Sequence, residues 1–212
     1  MTMKKLFLAG LLMFLFVLPR AASAAEAVGI VTAIKGNAII KRGSEMLTAK
    51  LKGEVFVDDT ISVAEFSRMK IKFTDDSVLT LYQNSSLNVK EYMYKNDGTK
   101  GRSVYRLIDG KLKSLVGKTN FEVHTATSVA AARGTHFFLQ CTATDCLLAV
   151  FEGTVGFRNI SEDVSDEILI GSGTYSTVKI VDGKLTSPSG AVPMPKGMIK
   201  DLLSCKIVQP DE

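Results

Sequence analysis

Two histidines, three cysteines and two pairs of adjacent acids are the residues of this 212-residue chain whose types invite chemistry. His124 and His136 are too few for a multi-histidine metal site, and neither has a nucleophile and an acid spaced to make a triad. His124 alternates with Phe121 and Val123 and shares a polar face with Glu122, the pattern of a solvated strand histidine. His136 follows Arg133-Gly134-Thr135 and could sit in a pocket. Asp58-Asp59 and Asp75-Asp76 invite a calcium reading, but a calcium cage draws on roughly 6–8 oxygen ligands and neither pair has the spacing of a calcium loop. Both pairs fall where turns are expected, and Asp is common there because it bonds its own backbone. Gly171-Ser172-Gly173 ends a strand with no helix of useful length behind it, so it reads as a turn and not a phosphate cradle. No nucleophile elbow, Walker loop or His-Glu-x-x-His motif occurs. The chain is therefore read as non-enzymatic, with no metal and no cofactor expected.

The cysteines acquire meaning from the N-terminus. Lys4 and Lys5 precede thirteen uncharged residues, Leu6 to Leu18, and Ala22-Ser23-Ala24 follows. That is the layout of a signal peptide, with cleavage expected between Ala24 and Ala25. A membrane-spanning helix needs roughly 20 apolar residues, and no other segment comes close. The mature chain is expected to start at Ala25, without a transmembrane segment, in the periplasm or outside the cell. Without Lys4, Lys5 and Arg20 the mature chain keeps 23 of its 26 basic residues against 22 acids, so bulk charge gives nucleic-acid binding no support.

An exported compartment permits disulfides. Cys141 and Cys146 bracket the polar stretch Thr142-Ala143-Thr144-Asp145 between two apolar runs. If that is a hairpin, the two are the first cross-strand pair beside the loop, at a separation a disulfide can bridge. A Cys141–Cys146 bridge is expected. Cys205 is left over, either as a buried free thiol or as a link to a second copy.

The elements that must carry these residues have period two. Arg68-Met69-Lys70-Ile71-Lys72-Phe73 alternates cleanly, and Leu79 and Leu81 alternate with Thr80 and Tyr82. Short runs of the same kind recur from residue 29 to residue 181, separated by turns at Lys35-Gly36-Asn37, Asn96-Asp97-Gly98, Asp109-Gly110, Glu152-Gly153 and Asp182-Gly183. The fold class is all-β: an antiparallel-rich β-sandwich or β-roll of many short strands. Thr127–Arg133 is at most one or two helical turns. Residues 25–182 are expected to form the β domain and 183–212 a linker and tail, with a short helix over Gly197–Leu203.

The order of these pieces resembles the FecR-type domain. The resemblance rests on Val31-Thr32-Ala33-Ile34-Lys35-Gly36-Asn37-Ala38, Asp58-Asp59-Thr60-Ile61 and Phe73-Thr74-Asp75-Asp76-Ser77-Val78-Leu79-Thr80-Leu81. It continues through Asn84-Ser85-Ser86-Leu87-Asn88-Val89, the stretch Thr125 to Thr135 with its Arg133-Gly134-Thr135, and Glu152-Gly153-Thr154. At positions 58 and 76 Asp stands where the family has glycine, so the turns there must use Asp in the left-handed region or have changed type. Family regulators of the ferric-citrate type carry a cytoplasmic anti-sigma region and a transmembrane helix before this domain; here a leader precedes it. The resemblance implies recognition of a cell-envelope protein. Arg133, Gly134 and Thr135 are the candidate binding residues. Arg133 either offers its guanidinium to a partner's carboxylate or backbone, or ties two β-layers together by bonding buried carbonyls. The other readings are an envelope scaffold associated with the cell wall and a small-ligand sensor.

Overall fold

A computed structural model describes residues 26–94, 101–117, 119–161 and 167–204. The leader with its cleavage site, the Asn96-Asp97-Gly98 turn and Cys205 lie outside them. Among the described residues the chain forms β1 (Gly29–Lys35), β2 (Ala38–Arg42), β3 (Glu45–Thr48), β4 (Glu54–Val55), β5 (Thr60–Val63), β6 (Arg68–Phe73), β7 (Val78–Leu81), β8 (Ser85–Met93) and β9 (Arg102–Leu115). It continues with β10 (Asn120–His124), β11 (Ser128–Ala132), β12 (His136–Cys141), β13 (Asp145–Glu152), β14 (Thr154–Asn159), β15 (Ile168–Gly171), β16 (Thr174–Val181), β17 (Lys184–Leu185) and β18 (Val192–Pro193). One helix, α1 (Lys196–Ser204), follows.

The strands build two sheets, and β17 adds a short antiparallel hairpin to the end of β16. The first runs β4-β1-β6-β7-β9-β12-β13-β16-β18. The second runs β3-β2-β5-β8-β9-β10-β11-β14-β15. All pairings are antiparallel except β9 with β10, where Arg102 to Arg106 lie beside Asn120 to His124 in parallel. This is the all-β architecture that the alternation dictates. In β6, Met69, Ile71 and Phe73 are buried while Arg68, Lys70 and Lys72 point to solvent, since successive strand residues face opposite sides. The inward rows of both sheets meet in one core. Phe73 of the first sheet stacks edge-on against Tyr105 of the second at 5.1 Å, and Phe121 of the second meets Phe137 of the first at 6.0 Å. Full burial of such side chains contributes about 1.5–3 kcal/mol each.

β9 belongs to both sheets. Its first half pairs with β8 and β10, its second half with β7 and β12. The crossover is Gly110, at φ 99°, where an added Cβ would lie 2.5 Å from the Ser85 Cα and 2.6 Å from the Asn84 carbonyl oxygen. Asp109-Gly110 is thus not the turn the sequence suggests but the point where one strand changes layer. A second correction concerns Thr127–Arg133, which is no helical turn: Ser128–Ala132 is strand β11, held between β10 and β14. Asp58 and Asp76 keep their turns in the left-handed region, both at φ 68°.

Beyond β16 the chain stays close to the first sheet. Ser189 accepts the Ser176 hydroxyl on its carbonyl and the Thr177 N–H on its own hydroxyl, and Val192 lies opposite Tyr175 in the ladder. In α1, Met198, Ile199 and Leu202 are half-buried.

Candidate functional site

Arg133, Gly134 and Thr135 occupy the corner where the chain leaves β11 in the second sheet and enters β12 in the first. The approach is fixed upstream by Thr125, whose hydroxyl accepts the N–H groups of Thr127 (3.2 Å) and Ser128 (2.8 Å) and so turns β10 back into β11. Gly134 makes the reversal at φ 60° with open space on its Cβ side. Thr135 is buried, and its carbonyl accepts the Val116 N–H at 2.8 Å. Its methyl lies against Gly153 of the neighbouring turn, where an added Cβ would meet it at 2.8 Å. The two corner loops, 133–135 and 152–154, therefore lie side by side. Arg133 is exposed, and among the described residues it joins no hydrogen bond or ion pair. Among the described residues it makes no bond that ties the β-layers together, and it is presented to solvent.

The surroundings of the corner follow from the ladder. His136 stands opposite Leu115 on one side and Glu152 on the other, and its ring packs 4.9 Å from Phe151. Burial first, and the Lys113 ammonium second, pull its imidazole below the ordinary value of 6.5, with Glu152 opposing. It is neutral at pH 7. Leu115 is half-exposed and Glu152 is exposed. The corner offers a guanidinium for two-pronged bonds to a carboxylate or carbonyl, and Glu152 belongs to the loop lying beside it. Phe151, Glu152 and Leu115 were not among the binding residues expected from sequence, where Glu152 figured only as part of a turn. Counting back along the hairpin from the Cys141–Cys146 pair would have brought Phe151 and Glu152 to the level of His136.

The remaining singled-out residues have structural employment. Cys141 and Cys146 are directly opposed in the ladder and joined by a disulfide. His124 is half-buried on β10 with its Nε2 3.0 Å from Glu122, and Arg102 reaches Glu122 at 3.4 Å and Glu91 at 3.5 Å. Burial pushes the Glu122 carboxyl up, but the His124 bond and the Arg102 charge outweigh it and hold the group below its ordinary value of 4.5. Asp59 is fully buried and takes the Arg42 guanidinium at 2.9 and 2.8 Å, along with the Phe56 N–H at 2.9 Å. Asp75, also fully buried, accepts the Ser77 N–H and hydroxyl at 3.1 and 2.8 Å and the Thr119 hydroxyl. Both carboxylates hold turns in place. Burial raises the phenols of Tyr92 and Tyr105 beside Asp75, keeping them protonated.

Comparison with known proteins agrees with this architecture. Residues 59–156 match the family described as FecR protein. The fold is similar to two crystal structures of a candidate anti-sigma factor from Parabacteroides distasonis, at 1.65 and 2.50 Å resolution. Each gives a TM-score of 0.53 at 14% sequence identity, over 68% of this chain. The matched region spans 64% of that protein, less than two thirds of its length. At this identity the likeness is one of fold. No curated protein matches the sequence.

Proposed function

We propose that the chain, whose residues 59–156 match the FecR family, is an exported, non-enzymatic module of bacterial cell-envelope signalling that recognises a protein partner through the Arg133-Gly134-Thr135 corner. The observation that carries this reading is Arg133 itself, an exposed arginine beside a glycine turn, with no hydrogen bond or ion pair among the described residues. A stabilising tie would bury and pair that group. The Cys141–Cys146 disulfide suits an oxidising compartment, in keeping with the leader expected over residues 1–24. No helix among the described residues is long and apolar enough to cross a membrane.

The test is a cross-linking pull-down of the tagged protein from native envelopes without reductant, run with wild type and Arg133→Ala. A single dominant partner lost in Arg133→Ala at unchanged melting temperature supports the site. A large fall in melting temperature, or the same partner retained by the variant, sinks it.

A further inference from the structure

The outer face of the first sheet carries a concavity of about 300 Å³ lined by Ala33, Ile34, Lys35, Arg68, Lys70, Thr80, Tyr82 and Lys113. Four of these eight residues are cations and none is an acid. They come from β1, β6 and β9, and only the ladder brings them together. Lys35 lies directly opposite Arg68, Lys70 lies between Ala33 and Thr80, and Thr80 lies opposite Lys113. Directly opposed residues stand about 4.5–5.5 Å apart, and like charges so placed destabilise a sheet. Here the Lys35–Arg68 opposition is present, and Lys70 shares the face two residues along β6. Among the described residues Lys35, Arg68 and Lys70 make no ion pair; the acid on the neighbouring row, Asp76, sits with Lys72 at 3.3 Å. The patch does not follow from a basic chain, since basic and acidic residues nearly balance outside the leader.

We propose that this concavity binds a phosphate-bearing ligand, a phosphomonoester or pyrophosphate group. Converging ammonium and guanidinium groups call for more than one negative charge in a small volume. A phosphomonoester carries roughly −1.5 to −2 at neutral pH, whereas a carboxylate carries one. Arg68 supplies the planar fork for two phosphate oxygens and the lysines supply point charges, with the Thr80 hydroxyl on the floor between Lys70 and Lys113. The volume lies at the lower end of small-ligand sites. The concavity does not include Arg133, Gly134 or Thr135, and the proposal does not depend on the role proposed for that corner.

The experiment uses the full exported chain with sodium pyrophosphate as the soluble probe, followed by calorimetry at fixed ionic strength with sodium chloride as control. Vesicles of phosphatidylcholine with or without phosphatidic acid present the same phosphate as a lipid headgroup. The test variant is Arg68→Gln with Lys70→Gln; the control variant, Lys41→Gln with Arg106→Gln, removes two exposed cations of the second sheet. Saturable binding that weakens about tenfold or more in the test variant and not in the control supports the site. The probe that is bound then identifies the source, free phosphate or headgroup. In phosphate-free buffer the test variant is expected to melt no lower than wild type, because it relieves like-charge repulsion. Binding to neither probe, or equal weakening in both double variants, overturns the proposal.

Discussion

The guanidinium of Arg42 grips both carboxylate oxygens of Asp59, at 2.9 and 2.8 Å, while Asp59 is sealed from solvent and Arg42 also lies 4.1 Å over the Phe56 ring. The pair joins the end of β2 to the turn before β5 across one shared cation. Asp59→Asn keeps the shape but breaks the two-pronged match, and is expected to lower stability by about 2–3 kcal/mol in urea unfolding. Asp58, next to it at φ 68°, should behave in the opposite sense. Asp58→Gly relieves a left-handed backbone and is expected to be neutral or to stabilise by up to about 1 kcal/mol, while Asp58→Val destabilises.

Gly110 leaves no space for a side chain. With φ at 99° and the Ser85 backbone 2.5 Å from an added Cβ, Gly110→Ala is expected to cost about 3 kcal/mol or more, or to prevent folding. Far-UV circular dichroism and urea titration of the purified variant would read the loss; a variant of wild-type stability would contradict the crossover geometry.

Stability should fall in two steps as pH is lowered. The folded His136 binds a proton less readily than the unfolded chain does, so its contribution is full above its ordinary value of 6.5 and is lost as pH falls through the depressed folded value. Glu122 acts further down: its folded carboxyl is also depressed, so its contribution is present above 4.5 and is lost as pH falls through the folded value. Melting curves of wild type and His136→Gln between these regions separate the two, since only the upper step should vanish in the variant.

The disulfide is expected to contribute modestly. It closes a loop of separation 5, for which the chain-entropy relation gives about 2 kcal/mol. Both sulfurs lie in the core, so the double Cys→Ala variant also loses some packing. Chemical unfolding of that variant should show a drop near this size and no change of fold by circular dichroism.

Arg133→Ala should leave unfolding free energy within about 0.5 kcal/mol of wild type, because an exposed side chain without partners stabilises nothing. The same substitution is the one expected to remove envelope-partner capture.

How far the sequence could be read depended on which faces of a strand are wet. β6 announced itself because one face meets water and its residues alternate. β11 did not: Ser128, Val129 and Ala130 are all buried, so no alternation survives in a strand covered on both sides, and a run of alanines passes for a helical turn. β3 is exposed along its whole length, which also erases the pattern. The Asp109-Gly110 pair looked like a turn because a glycine that reverses a chain and one that lets a strand change layer share the same signature. At the corner, Arg133 and Gly134 were legible from type and adjacency. The basic concavity was not, because Lys35, Arg68, Lys70 and Lys113 become neighbours only through the register of β1, β6, β7 and β9.

The passage of β9 through Gly110 bears on how the molecule comes apart. Peeling away either layer deprives this strand of half its partners and leaves amides that no other element can satisfy. Neither layer can therefore persist by itself, and both should lose amide-exchange protection together. A protease cut elsewhere in the body should release no folded half, and a lesion in β9 should be felt at the Arg133 corner and the phosphate concavity alike.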